Sequence, residues 1–183
     1  MNAIIDTSSL LALVRYYMPF DSNNSLKKLV EEKYGNGEII VIDKVFDESK
    51  YIAKKVIVNE LDFINDKSFH VKTNGIYPDK TFFNLLDNQF CDKDVKKAKD
   101  ITVVEFELEK KRFLNSADGC LLLFAYTRKR EDIIIVTEET RSANDNKIFK
   151  KLPENCELIG VKHCSLPTLI KEYFQIELSN YLK

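Results

Sequence analysis

The sequence predicts an α/β fold: a three-layer α/β/α sandwich around a central, mostly parallel sheet of four to five strands. Three observations point there. Short, continuously apolar runs alternate with helix-periodic segments, an order that gives parallel strands covered on both faces. The first such run ends abruptly at an acid followed by helix-starting residues, as a strand-to-helix turn does. Only 5 Gly and 4 Pro punctuate 183 residues that are 44% hydrophobic, so collagenous, disordered and low-complexity readings fail and a single domain over residues 1–183 fits the length.

Ala3-Ile4-Ile5-Asp6 is the first strand, and Thr7-Ser8-Ser9 opens a helix on which Leu10, Val14 and Tyr17 recur at helical spacing. Pro19 ends that helix, and a second runs from about Asn24 to Tyr34 before Gly35-Asn36-Gly37. Glu38 to Ile42 forms the next strand, with Asp43 placed to cap a long helix over about Lys44 to Phe63. Residues 65–100 lack one period and carry turn signals at Asn74-Gly75 and Pro78. They read as a partly helical insertion, with a helix over Thr81 to Asn88. Ile101 to Leu114 is expected as a charged, exposed helix. Ser116 then caps a central helix that runs to about Arg130 and turns Ala117, Leu121, Phe124 and Ala125 to one face. Asp132 to Thr137 and Val161 to Cys164 are the remaining strands, and Leu166 to Phe174 is a closing helix.

The charge balance, 28 Lys and Arg against 29 Asp and Glu, gives a net charge of −1 and removes any global field that would steer the chain toward phosphate. Basic clusters exist locally, at Lys96-Lys97 with Lys99, Lys110-Lys111-Arg112, Arg128-Lys129-Arg130 and Lys147 with Lys150-Lys151, and read as solvated helix faces. No apolar stretch approaches the roughly 20 residues a bilayer span needs, so no membrane association is expected. Met1-Asn2 leads directly into the first strand with no basic segment or cleavage site, and the expected location is cytoplasmic. Four cysteines without a C-x-x-C are expected as reduced thiols. Cys156, His163 and Cys164 lack the fourth ligand of a zinc site.

Ligands of an open parallel sheet bind beyond the carboxyl ends of its strands. Asp6 closes the first strand, Glu138 and Glu139 follow the third, Asp118 sits in the first turn of the preceding helix, and Glu48 lies on the helix after strand two. Asp6 could serve only as a helix cap, and Asp118 only as a partner of its own helix dipole. Glu48 is more informative. It falls about 60° from the line through Val45, Ile52 and Val56 on a helical wheel, bordering the buried face, whereas Asp47 points to solvent. Carboxylates gathered at one sheet edge raise one another's pKa unless a cation neutralises them, and all-oxygen ligands suit Mg²⁺ or Mn²⁺. The chemistry that follows is phosphodiester hydrolysis by metal-activated water. Competing readings lack anchors. There is no glycine-rich phosphate loop, Asp6 is not followed by the second Asp of an aspartyl phosphatase, and neither His70 nor His163 stands in a nucleophile motif.

Taken together, Ile4-Ile5-Asp6-Thr7-Ser8, Val45-Phe46-Asp47-Glu48, Ser116-Ala117-Asp118 and Ile135-Val136-Thr137-Glu138-Glu139 resemble, in order and spacing, the motifs of PIN-domain ribonucleases. The Val-Thr-acid run followed by Lys151-Leu152-Pro153 through Cys156 is similar to an uncharacterised PIN-like subgroup. The resemblance spans nearly the whole chain except residues 65–100. It implies metal-binding acids at Asp6, Glu48, Asp118 and Glu139, with the Thr137 hydroxyl orienting them and Thr7 or Ser8 adding a polar contact. It further implies Mg²⁺- or Mn²⁺-dependent cleavage of RNA, commonly by the toxin of a toxin-antitoxin pair, with an antitoxin protein as partner and often as a homodimer. Two departures stand out. The fourth acid is more often Asp in that family, which leaves Glu138 and Asp145 as alternatives to Glu139, and the insertion is unlike the smallest toxins. Arg15, Arg141 and Lys147 lie near the acids in sequence and are the expected substrate-binding cations. A module of the same fold that binds RNA or protein without cleaving is the alternative, and a regulatory domain with a structural Asp6 and a Glu48 paired to a basic side chain is a third.

Overall fold

A computed structural model describes residues 1–141 and 146–182. Four strands, β1 (Asn2–Ile5), β2 (Ile39–Ile40), β3 (Ile133–Val136) and β4 (Lys162–Cys164), form one all-parallel sheet in the order β2-β1-β3-β4. Helices flank it on both faces in a three-layer α/β/α sandwich. The register pairs Ala3 with Ile39 on one side of β1, and Ile5 with Val136 on the other. All four residues of β3 are buried, which explains why it reads as an unbroken Ile-Ile-Ile-Val run: β-branched side chains fill both faces of a covered strand.

The helices are α1 (Thr7–Ala12), α2 (Ser25–Gly35), α3 (Asp43–Ser49), α4 (Val56–Glu60), α5 (Lys80–Leu85), α6 (Lys93–Ala98), α7 (Val103–Asn115), α8 (Ala117–Thr127), α9 (Leu152–Ile159) and the short α10 (Leu166–Thr168), which a π turn prolongs to Tyr173. A π turn over Leu13–Tyr17 likewise prolongs α1. Asp21 starts α2 by accepting from the Ser25 and Lys27 amides, each at 2.8 Å, and these bonds hold its carboxyl below the usual range. Thr102 and Glu105 form a capping box at α7, and Ser116 caps α8 by accepting from the Gly119 amide at 3.1 Å.

Two expectations need correction. The single helix over Lys44 to Phe63 does not form. The chain leaves α3 at Ser49, passes through Ala53, Lys54 and Lys55 in left-handed conformations, and restarts as α4. No Gly or Pro marks the break. It redirects the chain so that Ile57, Val58 and Leu61 reach the core, a case of tertiary burial overriding local propensity. The wheel that placed Glu48 therefore used two residues, Ile52 and Val56, that do not share its helix. The helix over Ile101 to Leu114 exists as α7, but it is not wholly solvated. Phe106 is buried, as is Lys110, whose ammonium bonds Asp87 at 2.7 Å and Glu107 at 2.6 Å.

The 65–100 insertion is integral to the core. Phe82, Leu86 and Phe90 are fully buried in the same apolar cluster as the strands, and an isolated bridge joins Cys91 to Phe149. Among the described residues, no helix is long and apolar enough to cross a membrane.

Candidate metal centre

The strand order places the topological switch between β1 and β3: the chain leaves β1 toward β2 on one side and later returns to β3 on the other. Open α/β sheets bind ligands at that point. Asp6 and Thr137 each follow their strand by one residue, and the Asp6 amide bonds the Val136 carbonyl at 2.9 Å, so the sheet itself sets the two side by side.

Asp6 is 4% exposed. Its Oδ1 accepts from the Thr7 amide at 2.6 Å, capping α1, and its Oδ2 accepts from Ser8 Oγ at 2.6 Å and Thr137 Oγ1 at 3.0 Å. Burial pushes its pKa up, the hydrogen bonds oppose this, and the Glu48 charge adds to the rise. The Thr137 hydroxyl also accepts from the Glu139 amide at 3.1 Å. Thr7 Oγ1 donates to Glu48 Oε2, which ties α3 to the start of α1 although Glu48 as a whole is exposed. A polar contact was expected of Thr7 or Ser8; the two hydroxyls each make one, to a different acid.

The adjacent glutamates part company. Glu138 Oε1 accepts from the Leu166 amide at 2.6 Å and from Ser9 Oγ at 3.3 Å, and its charge adds to burial in raising the pKa of Tyr17 and Cys164. Glu139 Oε2 accepts from the Leu152 amide at 3.0 Å, the first residue of α9, while Oε1 lies 3.8 Å from Lys147 Nζ. Glu139 is among the charges that act on Asp118. The Asp118 carboxyl is raised to about 7, first by burial and then by Asp6 and Glu139, with Lys147 opposing and Glu48 adding. Asp145 lies outside the described residues.

Asp118 holds its place through an unusually tight helix junction. A Cβ on Gly119 would stand 1.9 Å from the Phe113 carbonyl oxygen, so only glycine lets the start of α8 pack against the end of α7. Among the described residues, no three His, Cys, Asp or Glu side chains are grouped so as to hold one metal ion. The four acids meet through the range of their charges, with hydroxyls and amides between them. As a donor set, hard carboxylates whose charges burden one another fit a divalent cation.

Of the expected substrate cations, Lys147 is at the site. Arg141 pairs on the surface with Glu157 of α9, and Arg15 is exposed on the π turn after α1. His70 is a packing residue, with Nε2 2.7 Å from the Ile64 carbonyl and its ring against Phe46, and His163 Nε2 stands 3.7 Å from Glu157. All four cysteines are free. The sequence reading missed a cleft of about 540 Å³ that opens beside Asp118 and is lined by Lys99, Arg112, Lys147, Lys150 and Lys151. These cations come from three clusters, with Lys99, Arg112 and Lys147 separated by 13 and 35 residues, and nothing in their spacing signals that they converge.

Residues 4–175 match the family described as a domain of unknown function, DUF4411. The chain belongs to this family. The DUF4411 match runs from β1 through the end of α10 and its π turn, so it takes in every acid named above and the insertion. No curated protein matches the sequence.

Proposed function

We propose that this DUF4411 protein is a metal-dependent endoribonuclease that hydrolyses RNA phosphodiester bonds. The observation that carries the reading is that Asp6 and the Glu139 backbone share the Thr137 hydroxyl beyond the ends of β1 and β3, while Asp6, Glu139 and Glu48 add to burial in raising the Asp118 carboxyl. Structural acids are normally neutralised by nearby cations or dispersed, whereas acids left to burden one another mark functional sites. Mg²⁺ or Mn²⁺ bound by these carboxylates would supply an activated water and charge stabilisation at the departing oxygen.

The chain's own groups prepare that chemistry. Three donors, the Thr7 amide and the Ser8 and Thr137 hydroxyls, fix both oxygens of Asp6. Thr7 orients Glu48, and the first amide of α9 orients Glu139. Thr137 joins Asp6 to the Glu139 backbone and acts as a positioning residue. Lys147 brings a cation to the rim, where it meets Glu139 and can meet a phosphate. The resemblance to PIN-domain ribonucleases supports the same assignment, and it extends the proposal to a toxin restrained by an antitoxin protein, working as a homodimer in the cytoplasm.

The test is cleavage of a mixed RNA pool by folded wild type and Asp118→Asn, each with Mn²⁺ and with chelator. Metal-dependent cutting that is lost in the variant is the expected result. A folded, Mn²⁺-supplied wild type that leaves the pool intact overturns the reading. For the toxin role, induced wild type should arrest growth of a host culture and Asp118→Asn should not.

A second reading, a binding module without cleavage, draws on one observation. Both oxygens of Asp6 and one oxygen of Glu139 already serve structural hydrogen bonds. It predicts RNA binding that is indifferent to chelator and to Asp118→Asn.

A further inference from the structure

The cleft beside Asp118 lies between the insertion and α7 on one side and residues 146–151 on the other. Five cations line it against two carboxylates, Glu109 and Asp118, in a chain whose net charge is −1. Three of the cations have fixed neighbours. Lys99 Nζ donates to the Asn146 carbonyl, Arg112 pairs with Glu109, and Lys147 stands beside Glu139. The floor is apolar, made by Ile101, Ile148 and the stacked rings of Phe113 and Phe149, whose centroids are 4.5 Å apart. Asp118 and Lys147 belong both to this cleft and to the acidic centre, so the one opens into the other.

We propose that this cleft is the entry path for single-stranded RNA, with phosphates on the cationic walls and bases over the apolar floor. The inference rests on the nuclease reading for the chemistry at its inner end. A recess of about 540 Å³ has the size of a site for one drug-sized ligand, and therefore for a nucleotide or two. A flexible strand can feed single nucleotides into such a recess, whereas a paired strand keeps its bases stacked within the duplex. An acidic peptide would meet the same cations, but it presents no phosphodiester to the acids behind them.

The cleft is tested by binding of a short fluorescent oligouridine to the full chain in chelator, so that affinity is read without turnover. Lys99→Ala with Arg112→Ala removes two wall cations at exposed positions. Lys28→Ala with Lys171→Ala, on α2 and on the π turn after α10, is the charge-matched control. The wall variant should weaken binding about tenfold and flatten the dependence of log affinity on log salt by about 1.4, at roughly 0.7 per phosphate contact on a single strand, while the control retains wild-type behaviour. The same strand annealed to oligoadenosine should bind at least tenfold more weakly than the free strand.

Wild-type affinity and salt slope in the wall variant would overturn the path. So would equal binding of the duplex, or displacement of oligouridine by polyglutamate at matched charge. The two proposals fail separately. If Mn²⁺-dependent cutting is absent while the wall variant still loses affinity, the nuclease reading falls and the path stands. If cutting proceeds with unchanged KM in the wall variant, the path falls and the nuclease stands.

Discussion

The Thr137 hydroxyl donates to Asp6 Oδ2 at 3.0 Å across the seam between β1 and β3, and accepts from the Glu139 amide at 3.1 Å. One side chain thus locks the acid at the end of one strand to the backbone of the acid beyond the next. Thr137→Val keeps the shape and removes both bonds. It should cost about 1–3 kcal/mol in urea denaturation, because a buried carboxylate oxygen loses a donor, and lower cleavage about 10–100-fold. Thr137→Ser should recover most of the activity. Wild-type turnover in the Val variant would remove the positioning role.

Asp118 makes the metal-free protein sensitive to pH. Its folded pKa of about 7 exceeds the ordinary 3.8, so the folded chain holds that proton more tightly than the unfolded one. The contribution to stability is fully present below about 3.8 and is lost as pH rises through about 7. In chelator, Asp118→Asn should therefore be more stable than wild type at pH 8, by at most about 4 kcal/mol, with the difference vanishing near pH 4. Equal urea midpoints at pH 8 would show that neither burial nor the neighbouring acids disfavour the Asp118 charge.

Divalent cations should relieve that repulsion. Mn²⁺ at about a hundred times its Kd should stabilise wild type by about 2.7 kcal/mol, a shift of roughly 5–10 °C in Tm for a chain of this size. Glu48→Gln, at an exposed position bonded by Thr7, should fold normally and lose most of the shift. A full shift in the variant would exclude Glu48 from the ion's surroundings.

Gly119→Ala places one methyl against backbone. The obstacle is the Phe113 carbonyl at 1.9 Å, not a side chain that can swing aside. The junction of α7 and α8 must open, at a cost of at least about 3 kcal/mol, and Asp118 should move with it. The expected result is a protein with a much lower Tm and no cleavage. A Tm within a few degrees of wild type would mean the junction has slack.

Much of this architecture could be read from the chain because local chemistry and tertiary role agree. Ile133 to Val136 is apolar throughout because both faces are covered, and Ser116 marks the start of α8 because its hydroxyl meets the Gly119 amide. Asp6 stood out because an acid ends a buried apolar run just before a helix, where it caps α1 as well as facing Thr137. The break after Ser49 was not legible, since Ala53, Lys54 and Lys55 carry no mark of the left-handed conformation they adopt. Nor was α9, which falls between the expected strands ending at Thr137 and beginning at Val161, and whose Pro153 occupies the first helical turn, which tolerates proline. Nor could the sequence show which amide Glu138 and Glu139 each reach, Leu166 or Leu152, because those positions depend on how two later helices pack.

Asp6 and Thr137 are 131 residues apart in sequence, and every strand pairing that sets them together is parallel and made across a crossover. Such pairings form late, after long loops have closed. On a ribosome, the first acid emerges long before its neighbours exist, and an interrupted chain that stops short of β3 carries Asp6 with nothing opposite it. On the proposed function, a chain stopped short of β3 would therefore lack Thr137 and Glu139 and should leave RNA intact.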